Sequence, residues 1–126
     1  MSATSDIYLG NPNLKKANTQ QEFTKEHIAE FLKCKDDPVY FTHNHIKIVN
    51  VDEGLVNFEM YPFQEKLISN FHKHRFNICK MPRQTGKSTT VVSYLLHYAI
   101  FNDNVNIGIL ANKAATARDL LGRLQL

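Results

Sequence analysis

The stretch Met81 to Val91, MPRQTGKSTTV, contains Gly86-Lys87-Ser88-Thr89. Those residue types in that order suit one task, holding a phosphate chain. A phosphate chain carries several negative charges, and a helix N-terminus meets them with free amides and a partial positive charge. Gly86 lets the backbone come close and take an angle barred to residues with a Cβ. Lys87 is the flexible cation for the β- and γ-phosphates, and the Ser88 hydroxyl is a ligand for Mg²⁺. Thr89 carries a second hydroxyl one position on, where packing or capping suits it better. The usual pattern, G-x-x-x-x-G-K-[ST], asks for a glycine five residues before Gly86, and Met81 stands there. Pro82 sets the turn in another way, by fixing its φ near about −65°. No physical account covers Met81 itself.

Between these anchors lie Arg83, Gln84 and Thr85. A guanidinium keeps its charge and forks onto phosphate oxygens. On the loop, Arg83 would supply in cis the positive charge that offsets the γ-phosphate in the transition state. The alternative is a solvated loop cation. Gln84 and Thr85 belong to the phosphate-facing turn. Upstream stands Tyr61-Pro62-Phe63-Gln64. A glutamine amide offers a donor and an acceptor, the complement of an adenine edge, and an aromatic neighbour can stack on the base. The alternative is an ordinary helix start with Gln64 facing solvent.

Positioning these residues needs particular elements. Phe76-Asn77-Ile78-Cys79 reads as a short apolar strand running into the loop. Val91, Val92, Leu95, Leu96, Tyr98 and Ala99 follow at helical spacing, to about Phe101. Asn102-Asp103-Asn104 is a turn, Val105 to Ala111 reads as a buried parallel strand, and Asn112 caps a last helix with Ala115, Leu120, Leu121 and Leu124. Strand, Gly-Lys-Ser loop, helix, strand and helix make a βαβα unit with a right-handed crossover. That is the setting a phosphate-binding P-loop requires and a chance Gly-Lys-Ser lacks. Upstream, Tyr61-Pro62-Phe63-Gln64 opens a helix with Phe63, Leu67, Ile68 and Phe71 on its buried face.

The first part of the chain reads differently. Residues 1–18 are polar and predict a mobile arm. Residues 19–60 form a helix and hairpin segment, and 61–126 the first part of a P-loop domain. Thr19-Gln20-Gln21-Glu22 fits a capping box, with Phe23, His27, Phe31 and Cys34 on the helix that follows. Asp36-Asp37-Pro38 breaks it. Ile46 to Val51 and Leu55 to Phe58 alternate as two strands around the turn Asp52-Glu53-Gly54. The expected fold class is α/β: an incomplete P-loop NTPase of the ASCE or RecA-like kind, with a parallel sheet and helices.

RQTGKS preceded by YPFQ resembles the large terminase subunit of tailed phages, in its T4-type branch. CKDDPVYF, IKIVNVDEGLVNF and GILANKAATARDLL are similar to that branch's flanking segments, so the resemblance covers roughly residues 30–126. It implies an ATPase, with ATP and Mg²⁺ as cofactors, that drives double-stranded viral DNA into a procapsid. Gln64 would read adenine with Tyr61 or Phe63 near the base. Lys87 and Ser88 would hold phosphate and Mg²⁺, and Arg83 would be the catalytic finger in cis. The implied partners are the portal protein, a small terminase subunit and further copies in a ring. The place is the host cytoplasm, with no membrane. The family continues beyond the loop with a hydrophobic strand ending in Asp-Glu and a nuclease domain; Asp52-Glu53 sits in a turn ahead of the loop, and neither part follows the loop in these 126 residues. The resemblance therefore implies an N-terminal piece of a longer protein, with weak nucleotide binding and negligible hydrolysis by itself. Two other classes stand beside it: part of a helicase-type nucleic-acid enzyme, and a non-catalytic assembly module.

Other features carry plainer readings. His43-Asn44-His45 spells HNH, but that nuclease site is spread over a ββα-metal fold. On a strand the two histidines would share a face without a third ligand. His72-Lys73-His74-Arg75 closes a helix, where cations are favoured. Lys113 and Arg118 suit a solvated face or a DNA contact. Cys34 and Cys79 lie far apart and suit a reduced compartment. The net charge of +3 permits a polyanionic partner without demanding one. No apolar run approaches a membrane span, and MSATSDIYLGNPNLKK lacks the apolar region of a secretory signal.

Overall fold

A computed structural model describes residues 7–124. Residues 1–6 of the expected arm lie outside the described residues. Residues 7–15 pair as two short antiparallel strands, β1 (Ile7–Tyr8) and β2 (Asn11–Lys15). Leu9 and Gly10 between them both have positive φ, as the twist of a tight hairpin asks.

Helix α1 (Lys25–Asp36) starts later than the sequence predicts. Thr24, not Thr19, is its N-cap, and its hydroxyl accepts from the His27 amide. His27 closes the box in place of a carboxylate, its Nδ1 accepting from the Thr24 amide at 3.4 Å. Asp37 then ends α1 and begins α2 (Pro38–His45). Its carboxylate accepts from the amides of Val39 and Tyr40, both at 3.0 Å. The Asp-Pro pair that reads as a break is therefore a cap and the first position of a new helix. Val39-Tyr40-Phe41 is helical, and His43 and His45 are not on a strand.

The hairpin falls where alternation places it. Strands β3 (Lys47–Asn50) and β4 (Gly54–Asn57) pair with Ile48 opposite Val56. Helix α3 (Pro62–Lys73), α4 (Lys87–Phe101) and α5 (Ala114–Arg123) complete the order. No described helix is long and apolar enough to cross a membrane.

The core lies under α2. Cys34, Phe41, Ile46, Phe58, Met60 and Ile68 are buried together, so α1, α2, the hairpin and α3 share one core. Helix α4 closes it from the other side. The His97 ring packs against Phe41 and Phe101, and its Nε2–H donates to the Cys34 carbonyl at 2.8 Å. The Tyr94 hydroxyl reaches the Phe71 carbonyl at 3.3 Å.

The parallel sheet is corrected. Among the described residues the fold is mostly helical, with five helices and antiparallel hairpins, and no parallel pair forms. Residues 76–80 and 105–111 contain no strand, and no backbone–backbone bond outside the regular elements joins them. The physical reason is a missing ladder. A parallel strand needs partners on its edges and cover on both faces. Ile78 and Leu110 are instead fully exposed. Apolar composition predicts an element able to enter a sheet, not the neighbour that must receive it.

Two expectations follow. Ile68 is wholly buried at the centre of the core; Ile68→Ala should destabilise by about 2–5 kcal/mol in urea unfolding. Burial lowers the pKa of His97, so the unfolded chain binds its proton more readily. Stability is then held above about pH 6.5 and lost as pH falls below it, by up to about 1.4 kcal/mol per unit. Urea midpoints at pH 7.5 and 5.5 measure this, and His97→Gln should flatten the difference.

Candidate nucleotide-binding loop

Helix α4 begins at Lys87 because Gly86 caps it in the left-handed conformation, with φ +72°. Gln84 also takes a positive φ, +61°, so the chain turns twice within three residues before the helix. Inside the loop the Thr85 hydroxyl donates to the Pro82 carbonyl at 3.1 Å. Thr90, one turn into α4, is wholly buried and returns its hydroxyl to the Gly86 carbonyl at 2.9 Å. The Ser93 hydroxyl binds the Thr89 carbonyl at 2.8 Å. These bonds are made by the loop's own chain and fix the entry to the helix.

Lys87 crosses the mouth of the loop. Its Nζ donates to the Met81 carbonyl at 3.3 Å. The position that departs from the glycine pattern therefore meets the lysine through its backbone, a contact indifferent to the side chain. Ser88 stands one residue on, partly buried in the first turn. Arg83 and Gln84 are exposed on the outer turn. Thr89 is partly buried on the first turn of α4.

Gln64 is at the loop but is turned inward. It is 3% exposed. Its Oε1 accepts from the Tyr61 amide at 2.9 Å, and its Nε2 donates to the Thr85 carbonyl at 3.2 Å. The first bond caps α3 and the second reaches across to the loop. A Cβ at position 86 would stand 2.6 Å from the Gln64 Nε2. Gly86 is thus required for its backbone angle and for room. The bracing role of Gln64 is hidden in sequence, where the glutamine looks equally ready for a base or for solvent.

Tyr61 and Phe63 form an exposed pair. Their rings are stacked at 5.8 Å between centroids and only 7° from parallel. They present exposed aromatic faces at the start of the helix that braces the loop.

Beside the loop, an open cavity of about 260 Å³ runs along α4, lined by Leu67, Cys79, Val91, Leu95 and Leu120, with Lys87 and Ser88 at one end. Its walls are apolar apart from that end. It is a gap between helices and extended segments, and phosphate has no place in most of it. Among the described residues, the cluster of three potential metal-ligating side chains is elsewhere: Glu30, Cys34 and His45. Glutamate and cysteine four apart on one helix were the sequence signal for it.

Gly86→Ala should lower stability by about 2 kcal/mol or more, from the left-handed backbone and the collision with Gln64. Gln64→Ala removes the collision partner. The double variant should therefore lose about 1 kcal/mol less than the sum of the singles, read by a thermodynamic cycle in urea. Additive losses would mean that the two positions do not meet. No protein-family model matches this chain, so the case for its function rests on the loop.

Proposed function

We propose that the chain binds ATP with Mg²⁺ at the loop from Met81 to Thr89, as the ATP-binding part of a phage DNA-packaging motor of the terminase large-subunit kind. One observation carries the nucleotide reading: a left-handed Gly86 caps α4, with Lys87 and Ser88 in the first turn. That arrangement aims helix amides, an ammonium and a hydroxyl at one spot. On ATP arrival, Lys87 exchanges the Met81 carbonyl for phosphate oxygens. Ser88 would hold the Mg²⁺ that accompanies the nucleotide. Arg83, on the exposed turn, swings onto the γ-phosphate and offsets charge there. The exposed Tyr61–Phe63 pair is the place for the base. Gln64 serves adenine recognition only by giving up a bond it already makes, so its first role is to hold the loop.

In the parent motor the partners are double-stranded viral DNA, the portal protein, a small terminase subunit and further copies in a ring. The motor reading rests on the resemblance of RQTGKS and YPFQ to the terminase pattern. A second reading, the non-catalytic assembly module, is favoured by the bare apolar side chains Ile78 and Leu110, which suit a surface that another chain covers.

Titration with a fluorescent ATP analogue and Mg²⁺ tests the loop. Lys87→Ala should weaken binding at least tenfold, while Arg83→Ala, at a residue that engages only the γ-phosphate, should change it by less than about threefold. Binding untouched by Lys87→Ala would remove the phosphate role. The motor is tested with the parent protein, extended beyond these residues, by packaging into procapsids, which both substitutions should abolish. DNA-strand separation in place of packaging would move the assignment to the helicase class.

A further inference from the structure

We propose that Glu30, Cys34 and His45 form a site for a thiophilic divalent cation of the zinc class, a clip between helices α1 and α2. It is separate from the nucleotide loop and does not depend on it. Glu30 and Cys34 lie four residues apart on α1, and so on one face. His45 is the last residue of α2, brought back to that face by the single-residue junction at Asp37. The groups converge on one oxygen. Glu30 Oε1 is 3.0 Å from His45 Nε2 and 3.8 Å from Cys34 Sγ.

The three ligand atoms lie within 4.8 Å of one another. A triangle with these sides has a point no more than about 2.4 Å from every corner, close to the ~2.0–2.3 Å of zinc bonds to oxygen, nitrogen and sulfur. The donor set is also of the right kind. Thiolate, imidazole and carboxylate are the three side-chain ligands that zinc takes, and together they supply two negative charges to a divalent ion. When the ion binds, the Cys34 thiol proton leaves to solvent, and His45 offers the Nε2 lone pair in place of a hydrogen bond to Glu30. The Tyr40 hydroxyl also donates to Glu30 Oε1, at 3.0 Å, with a longer approach of 3.3 Å to Oε2. It can keep the carboxylate oriented from outside the metal shell.

The access is one-sided. Cys34 is 4% exposed, whereas the Glu30 and His45 side chains are each more than two-fifths exposed. An ion enters from the Glu30–His45 side and reaches the thiol at the core wall, leaving a coordination position for water. Lys33 lies over the Tyr40 ring, its ammonium 4.0 Å from the centroid, near enough to act by charge on Glu30 and Cys34.

The test is titration of the full chain, stripped with a chelator, first with Co²⁺ and then with Zn²⁺ against a coloured competitor. One equivalent of Co²⁺ should produce a thiolate-to-metal charge-transfer band in the near ultraviolet. Cys34→Ser should abolish the band, and Glu30→Gln and His45→Gln should each weaken binding about tenfold or more. Cys79→Ser, which removes the other thiol, should leave it unchanged. Both exposed-ligand variants keep Cys34 in place, so they test the site even if Cys34→Ser fails to fold. No stoichiometric binding, a band that follows Cys79, or binding indifferent to Glu30→Gln and His45→Gln would each overturn the proposal.

Discussion

The amide of Gln64 joins two places that the chain separates by twenty-one residues. Its oxygen accepts from the Tyr61 amide at the N-cap of α3, and its nitrogen holds the Thr85 carbonyl. Both bonds are made in a position sealed from water, where losing a partner costs more than the bond itself contributes. Because the Gln64 amide stands 2.6 Å from where a Cβ at position 86 would be and φ there is +72°, a residue with a Cβ after Thr85 must displace that amide and strain the backbone. The left-handed cap, the start of α4 and the placement of Lys87 depend on that constraint. The loop is therefore shaped by the helix before it as much as by its own sequence.

From α4 the same logic continues into the core. His97 is buried in the C-terminal half of that helix and binds the Cys34 carbonyl near the C-terminus of α1. The loop end of α4 is thus tied to α3, and its far half to α1. A movement of the loop that draws on Gln64 pulls at α3, and one that tilts α4 presses on the ring cluster of Phe41, His97 and Phe101. The histidine carries the one buried side-chain nitrogen without a partner among the described residues, its Nδ1, so this contact stores a sensitivity to protonation in the joint between helices.

What the sequence made legible follows from how local each signal is. The β3–β4 hairpin, α3 and α4 came from alternation, a proline start and helical spacing, all written within a few residues. The Gly86-Lys87-Ser88 turn was legible for the same reason. Helix α2 was missed because Asp37-Pro38 ends one helix and begins another, and a short apolar patch carries no period of its own. The sheet around 76–80 and 105–111 was expected from composition, but pairing is a non-local property and no local pattern records it. Gln64 was singled out as a candidate residue, yet its inward turn depends on where Thr85 comes to rest. The gathering of Glu30, Cys34 and His45 needed the course of α2, which the sequence had not yielded.

Asp37 is the whole of the connection between α1 and α2. With a longer linker, a lengthened helix can be absorbed by slack. Here there is none, and each added or deleted residue would rotate α2 by about 100° about its axis. Phe41 and Thr42, both buried, would swing out of the core together. Among variants of this chain, length changes should accordingly collect at the turn of residues 102–104, and the α1–α2 corner should keep its count of residues even where their identities drift.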